Sequence, residues 1–220
     1  MSSGIDLNKI KGWIFDLDGV LVLSEPVHLQ SWQEVFRRHG MTLGDEWFAI
    51  GVGMSDMQFY SAVAPEFKLD PSSTVFLNEK REIFQQMIQN GLPLVDGIQD
   101  LLATLAPHFR LGVATSSGRR YVDFLMHLMG WDKIFSTIMT RNEVQRTKPD
   151  PEIYLKAARH LGLSPQECMA VEDSPTGLSA AIAAELKTIA ITTTFRRDDL
   201  AAADWIVDSY KTVKQVVEQA

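Results

Sequence analysis

The 220-residue sequence contains a single cysteine, Cys168, and no apolar run long enough to cross a bilayer. One thiol cannot form an internal disulfide or a multi-thiolate metal site, which is typical of a protein from a reducing compartment. A bilayer span needs roughly 18–20 apolar residues, and the polar stretch 1–8 lacks the apolar centre of a signal peptide. We therefore expect a cytoplasmic protein without a membrane partner.

Positive charge is also in short supply, because 21 Lys and Arg residues stand against 28 Asp and Glu residues for a net charge of −7. This excess of acid disfavours broad electrostatic binding of nucleic acid. It still permits an anionic small molecule, since a site can be locally positive on an acidic protein. With 45% hydrophobic and 22% charged residues, the composition is that of a globular domain, with length to spare for a smaller insertion.

Four short apolar runs each end at a polar residue, as strands buried on both faces of a parallel sheet do. They begin at Trp13, Leu111, Cys168 and Thr188. Helical spacing separates them, and Ser174-Pro175 is typical of a helix N-cap followed by the first helical residue. We expect that helix to reach about Leu186. The alternation predicts an α/β fold with a Rossmann-like, doubly wound parallel sheet.

One long stretch, from 24 to 90, breaks this alternation because it has helical periodicity and no convincing buried strand. The simplest interpretation is an inserted all-helical cap domain over residues 24–90. The α/β core is then formed by residues 1–23 and 91–220. Such an insertion would act as a lid over the end of the first strand.

Two carboxylates, Asp16 and Asp18, directly follow the first apolar run. Carboxylates this close repel each other, so the pair requires a cation or a shared proton. The alternative is a solvated Asp-Gly turn, which is common in proteins. Ligands of open α/β sheets bind at the carboxyl ends of the strands, where Thr115 and Glu172-Asp173 end two further runs.

These strand ends carry four motifs that resemble, in order and spacing, those of the haloacid dehalogenase-like phosphohydrolase superfamily. Any one of the motifs is weak evidence, whereas four in sequence are strong evidence. The motifs are Asp16-Leu17-Asp18-Gly19-Val20, Val113-Ala114-Thr115-Ser116, Lys148-Pro149-Asp150-Pro151 and Val171-Glu172-Asp173-Ser174-Pro175-Thr176-Gly177.

The resemblance implies a role for each matching residue. Asp16 would be the nucleophile that forms an aspartyl-phosphate, and Asp18 the general acid and then the general base. Thr115, with the backbone N–H of Ser116, would bind phosphoryl oxygens. Lys148 would neutralise charge in the transition state.

The resemblance also implies a Mg²⁺ site, because oxygen ligands with retained waters suit this cation. Its ligands would be Asp16, the backbone carbonyl of Asp18, and the acidic pair Glu172 and Asp173. The alternative for that acidic pair is a helix N-terminal cap.

The insertion is similar to the helical cap of the branch that contains β-phosphoglucomutase and many small-molecule phosphatases. His28 matches a residue that in β-phosphoglucomutase helps to hold the general acid out of line until substrate binds, and a packed histidine is an equal alternative. Arg119 could contact a substrate anion. Asp56 stands where the mutase has an arginine that binds the distal phosphate, and an acidic side chain there should repel a second phosphate.

The predicted function is therefore a Mg²⁺-dependent phosphatase of a small organic, sugar-type phosphate monoester, with a sugar phosphomutase as the alternative. A binding module without catalysis is a third possibility, which the intact set of motif residues disfavours. The expected partner is a small phosphorylated metabolite, not nucleic acid or membrane, and the expected assembly is a monomer or weak homodimer.

Overall fold

The computed structural model describes residues 7–52 and 54–219, and in this part of the chain six strands form one parallel sheet. The strands are β1 (Gly12–Phe15), β2 (Arg110–Ala114), β3 (Thr137–Met139), β4 (Cys168–Glu172), β5 (Lys187–Ile191) and β6 (Trp205–Val207). Their order across the sheet is β3-β2-β1-β4-β5-β6. The Rossmann-like α/β prediction is confirmed, and the four predicted strands are β1, β2, β4 and β5.

The described residues also form nine α-helices. They are α1 (Glu25–Arg38), α2 (Trp47–Gly51), α3 (Asp56–Val63), α4 (Val75–Met87), α5 (Ile98–Leu105), α6 (Arg119–Leu128), α7 (Glu152–His160), α8 (Pro175–Ala183) and α9 (Tyr210–Val217). The longest, α1, has 14 residues, and none of the described helices has both the length and the apolar character of a bilayer span.

The chain divides into two compact units, one of residues Met1–Val22 with Pro93–Ala220 and the other of residues Leu23–Leu92. The first unit contains the sheet, with β1 in a central position. Every residue of β1 is buried, as expected of a strand covered on both faces. In the parallel register Phe15 pairs with Val113 on one side and with Val171 on the other. Residues that follow these three strands therefore emerge at one edge of the sheet.

The second unit is all-helical in its described residues, 23–52 and 54–92, as the sequence predicts. Helices α1 and α4 pack together around an aromatic core in which Trp32 stacks on Tyr60 at 5.8 Å between ring centroids. Phe36 and Phe76 extend this cluster at 5.4 Å. Most of the apolar positions that gave helical periodicity are buried here, among them Trp32, Phe36 and Phe76, and aromatic pairs of this geometry add to the stability from buried area.

The structure differs from the sequence-based expectation at three places. Strands β3 and β6 were not predicted, because each has only three residues and lies at an edge of the sheet. Helix α8 ends at Ala183 rather than near Leu186, since Glu185 adopts a left-handed conformation with φ of 64°. That conformation cannot continue a right-handed helix.

Candidate active site

Three carboxylates meet at the carboxyl edge of the sheet. Asp16 follows β1, Glu172 ends the adjacent strand β4, and Asp173 comes next. One oxygen from each of these side chains lies within 4.8 Å of the others, and all three residues are buried. The cluster results from strand adjacency, since β1 and β4 are parallel neighbours whose ends coincide.

A single buried ammonium group bridges two of these acids. The Nζ atom of Lys148 lies 2.6 Å from Oδ1 of Asp16 and 2.5 Å from Oε1 of Glu172, and the lysine side chain is only 5% exposed. The hydroxyl of Tyr154, on α7, donates a hydrogen bond of 2.5 Å to the same Oε1 of Glu172. The ring of Tyr154 also contacts the ammonium, at 5.1 Å from its centroid. Glu172 is thereby fixed as the anchor that holds Lys148 beside Asp16.

The electrostatics of the cluster favour an added cation. Burial raises the pKa of Asp16 to about 7, the charges of Glu172 and Asp18 add to this, and Lys148 opposes it. Burial, with Asp16 and Glu172, likewise raises the pKa of Asp173. Burial lowers the pKa of Lys148, but Asp16 and Glu172 outweigh it, so the net shift is upward. One lysine does not balance three acids, and a divalent cation with oxygen ligands fits the remaining charge.

Two glycines allow the acids to lie where they do. A Cβ atom on Gly19, whose φ is +78°, would overlap the carboxylate of Asp173, and one on Gly177 would overlap that of Glu172. The Thr193 hydroxyl donates to the carbonyl of Gly19, and Thr194 hydrogen-bonds Asp173. These threonines follow β5 at the same edge of the sheet, and no role was predicted for them.

The predicted phosphate-binding and acid–base residues lie on neighbouring loops of the same unit. Thr115 is buried and its Oγ1 accepts the Ser117 N–H at 3.0 Å, whereas Ser116 is exposed. The Asp18 carboxylate accepts hydrogen bonds from Ser117 Oγ at 2.6 Å and from the Tyr121 hydroxyl at 3.1 Å. Neither contact with Asp18 was predicted, because the partner of a hydroxyl on another loop or helix is chosen by tertiary packing.

Arg119 already has several partners. Its guanidinium lies 2.9 Å from Glu143 Oε2 and 3.2 Å from Asp123 Oδ1, and it donates to the Ile138 carbonyl at 2.7 Å. A contact between Arg119 and a substrate anion stays a prediction, and it would compete with these bonds.

His28 belongs to the all-helical unit and packs within it. Its ring stacks on Phe84 at 4.1 Å between centroids, and its Nδ1 lies 2.6 Å from Nζ of Lys80. This packing is compatible with both alternatives, and an influence of His28 on Asp18 stays a prediction.

Comparison with known proteins agrees with the geometry. The family model described as haloacid dehalogenase-like hydrolase matches residues 13–191. Validoxylamine A 7'-phosphate phosphatase from Streptomyces hygroscopicus subsp. limoneus is 30% identical, covering 91% of this chain and 94% of the relative. Hexitol phosphatase A from Escherichia coli is 29% identical, covering 93% and 94%. A candidate beta-phosphoglucomutase from Thermotoga maritima has the same fold, with a TM-score of 0.85 at 22% identity over 96% of this chain and 100% of that one.

Replacing Gly19 tests the packing of the acidic cluster. We expect Gly19→Ala to weaken divalent-cation binding at least about tenfold, because the new methyl group displaces Asp173. Gly130→Ala is the matched control, since Gly130 has a similar φ of +68° but no atom within 4 Å of the added Cβ. Both variants should lose roughly 1 kcal/mol of unfolding free energy from the positive φ. Titration calorimetry and urea unfolding measure the two effects, and equal cation affinity in both variants would contradict the packing argument.

The pKa of Asp16 also predicts how stability depends on pH. Because the folded protein holds a proton that the unfolded chain releases above the ordinary value of 3.8, the metal-free free energy of unfolding should fall as pH rises from about 5 to 7. Acids with lowered pKa values, such as Glu152 and Glu167, both at about 2, change the free energy of unfolding only at pH values below this window. Asp16→Asn should reduce the slope, and Asp96→Asn, at an exposed position, should not.

Added Mg²⁺ binds the ionised carboxylates, so its stabilisation should be larger at about pH 7.5 than at about pH 5. Thermal unfolding with Mg²⁺ and with EDTA measures both effects. A metal-free stability that increases through the window would contradict this assignment of charge.

Proposed function

The chain belongs to the haloacid dehalogenase-like hydrolase family and is a phosphoric monoester hydrolase, and we propose that it is a Mg²⁺-dependent phosphatase acting through an aspartyl-phosphate on Asp16. The observation that carries this proposal is the environment of Asp16. Its carboxylate lies at the end of the central strand, bound to Lys148 at 2.6 Å and clustered with Glu172 and Asp173. This arrangement suits a nucleophile that attacks a dianionic phosphoryl group.

The cation would be held by Asp16 and Asp173, with Glu172 in reach. Oε1 of Glu172 accepts from Lys148 and Tyr154, and its Oε2 accepts from Ser174 Oγ at 3.3 Å, so Glu172 would support the site while Asp16 and Asp173 hold the cation. Oxygen donors alone suit Mg²⁺, which keeps several waters and accepts a substrate phosphate oxygen. When bound, the cation supplies positive charge that draws the phosphoryl group to the site and stabilises it.

The first half-reaction forms the enzyme intermediate. An Asp16 carboxylate oxygen bonds to phosphorus as the bond from phosphorus to the ester oxygen breaks. Asp18 donates a proton to the leaving oxygen, which departs as an alcohol. Lys148 balances the charge around Asp16, and Thr115 with the N–H of Ser116 binds the phosphoryl oxygens.

The second half-reaction regenerates the enzyme. A water molecule attacks phosphorus and gives a proton to the Asp18 carboxylate, which is now the base. The bond between phosphorus and the Asp16 oxygen breaks, and inorganic phosphate leaves. Asp18 ends protonated and Asp16 ionised, as both began.

The names of two relatives support a substrate class. One is named for validoxylamine A 7'-phosphate and the other for hexitol, so we propose a sugar-type phosphate monoester for this chain.

The mutase alternative rests on charge in the all-helical unit. Asp56 stands where the mutase has its phosphate-binding arginine, but its Oδ1 lies 2.6 Å from Nζ of Lys80, whose side chain is 1% exposed. The lysine offsets the negative charge that would by itself repel a phosphate. Neither residue then offers a free positive charge for a second phosphate, and the phosphatase remains the favoured function.

The nucleophile is tested with p-nitrophenyl phosphate. We expect hydrolysis that requires Mg²⁺, that stops with EDTA, and that falls more than about 1,000-fold in Asp16→Asn. Asp96→Asn is the control, because Asp96 is 81% exposed and pairs only with an exposed lysine in the structure described. Acid quenching followed by mass spectrometry should find one added phosphoryl group on the wild type and none on Asp16→Asn. Full activity in Asp16→Asn would overturn the assignment.

The substrate class is tested with a panel of sugar and polyol phosphates. We expect release of inorganic phosphate from one or more of them, with no isomerised product. Net conversion of β-glucose 1-phosphate to glucose 6-phosphate would instead establish the mutase, and no turnover of any member would favour a binding module.

A further inference from the structure

Two hydroxyl groups hold the carboxylate of Asp18, one on each oxygen. Ser117 Oγ donates to Oδ2 at 2.6 Å, and the Tyr121 hydroxyl donates to Oδ1 at 3.1 Å. All three side chains are half-buried. Two donors on opposite oxygens fix the rotation of the carboxylate plane, which a single donor would leave free.

We propose that Ser117 and Tyr121 are positioning residues that orient Asp18 for proton transfer. This inference rests on the proposed function, in which Asp18 is the general acid and base. A proton transfer depends steeply on the position of the donor relative to the leaving oxygen, so a carboxylate that rotates freely is less effective.

The main chain around Asp18 is held independently of these hydroxyls. The N–H of Gly19 bonds to the Val22 carbonyl at 2.8 Å, and the N–H of Leu21 bonds to the Leu17 carbonyl at 2.9 Å. Thr193 also donates to the carbonyl of Gly19. Ser117 and Tyr121 are therefore not needed for the loop conformation, and their contribution is to the side chain of Asp18.

The two donors adjoin the segment that is predicted to bind phosphate. The N–H of Ser117 donates to Thr115 Oγ1 at 3.0 Å, and the N–H of Tyr121 bonds to the Gly118 carbonyl at 3.1 Å. Strand β2, which leads into this segment, pairs with β1, which leads into Asp18. The acid–base group is thus oriented from the loop that carries the predicted phosphate ligands.

Hydroxyl groups suit a residue that changes protonation state in each half-reaction. A hydroxyl donates to an ionised carboxylate and can rotate to accept from a protonated one. A lysine or arginine in the same place could only donate. Ser117 and Tyr121 can therefore hold Asp18 in both states.

The test measures kcat/KM for a series of aryl phosphates with leaving groups of rising pKa, because kcat/KM reports the step in which Asp18 donates its proton. For Ser117→Ala and Tyr121→Phe we expect a loss of about tenfold or more with the poorest leaving group and little loss with p-nitrophenyl phosphate. Ser117→Thr, which keeps a hydroxyl, should recover most of the activity. A loss of equal size across the series is the result of a merely structural role and would overturn the proposal.

Two controls separate positioning from general damage. Tyr60→Phe and Ser136→Ala each remove a hydroxyl that donates to a backbone carbonyl, of Asp70 and Leu111 respectively, and should leave the series unchanged. Thermal unfolding verifies that every variant is folded. A loss of kcat/KM that grows with leaving-group pKa in either control variant would refute the specificity of the Asp18 contact.

A double-variant cycle provides the second readout. In an Asp18→Asn background, Ser117→Ala and Tyr121→Phe should cause no further leaving-group-dependent loss, because the group they orient no longer transfers a proton. Additive losses would overturn the inference. The proposed function fails separately, if Asp16→Asn stays active or if Asp18→Asn itself leaves the series unchanged.

Discussion

The site depends on the sharing of one buried ammonium group by two buried carboxylates. Lys148 contacts Asp16 and Glu172 at 2.6 and 2.5 Å, and each of the three side chains is at most 11% exposed. Removing such charges from water is costly, and only close pairing with further hydrogen bonds compensates. The Tyr154 hydroxyl supplies one of these bonds to Glu172. Loss of any member would leave another charge buried and unpaired, so the nucleophile, the lysine and their supports form a single unit.

The sheet makes this sharing possible, and most of the sheet could be predicted. Strands β1, β2, β4 and β5 are continuous apolar runs because helices cover both faces, and this burial leaves a direct trace in the sequence. The edge strands β3 and β6 are short and partly exposed, so the same physical constraint does not act on them. The end of α8 was misplaced because Glu185 adopts a left-handed backbone conformation that its residue type does not indicate.

The site was predictable where its residues follow strands and unpredictable where tertiary packing chooses their partners. Asp16, Glu172 and Asp173 are adjacent because their strands are, and local sequence is sufficient to place them. The partners Tyr154 and Lys80 are different, since each reaches across the fold to an acid 18 and 24 residues away. No pattern along the chain encodes such a pairing. The sequence therefore shows the negative charge of Asp56 but not the lysine that compensates it.

The two aspartates of the first motif therefore differ in the chemistry of their partners. Asp16 is paired with a cation, which favours the ionised form that a nucleophile needs and opposes the effect of burial. Asp18 is held by hydroxyls, which impose an orientation without a fixed charge. A lysine or arginine paired with the Asp18 carboxylate would favour its ionised form and hinder donation of a proton to the leaving oxygen. Hydroxyls beside Asp16 would leave its buried charge unbalanced. Two residues apart on one loop, the same side chain is suited to two roles by the groups that the neighbouring elements bring to it.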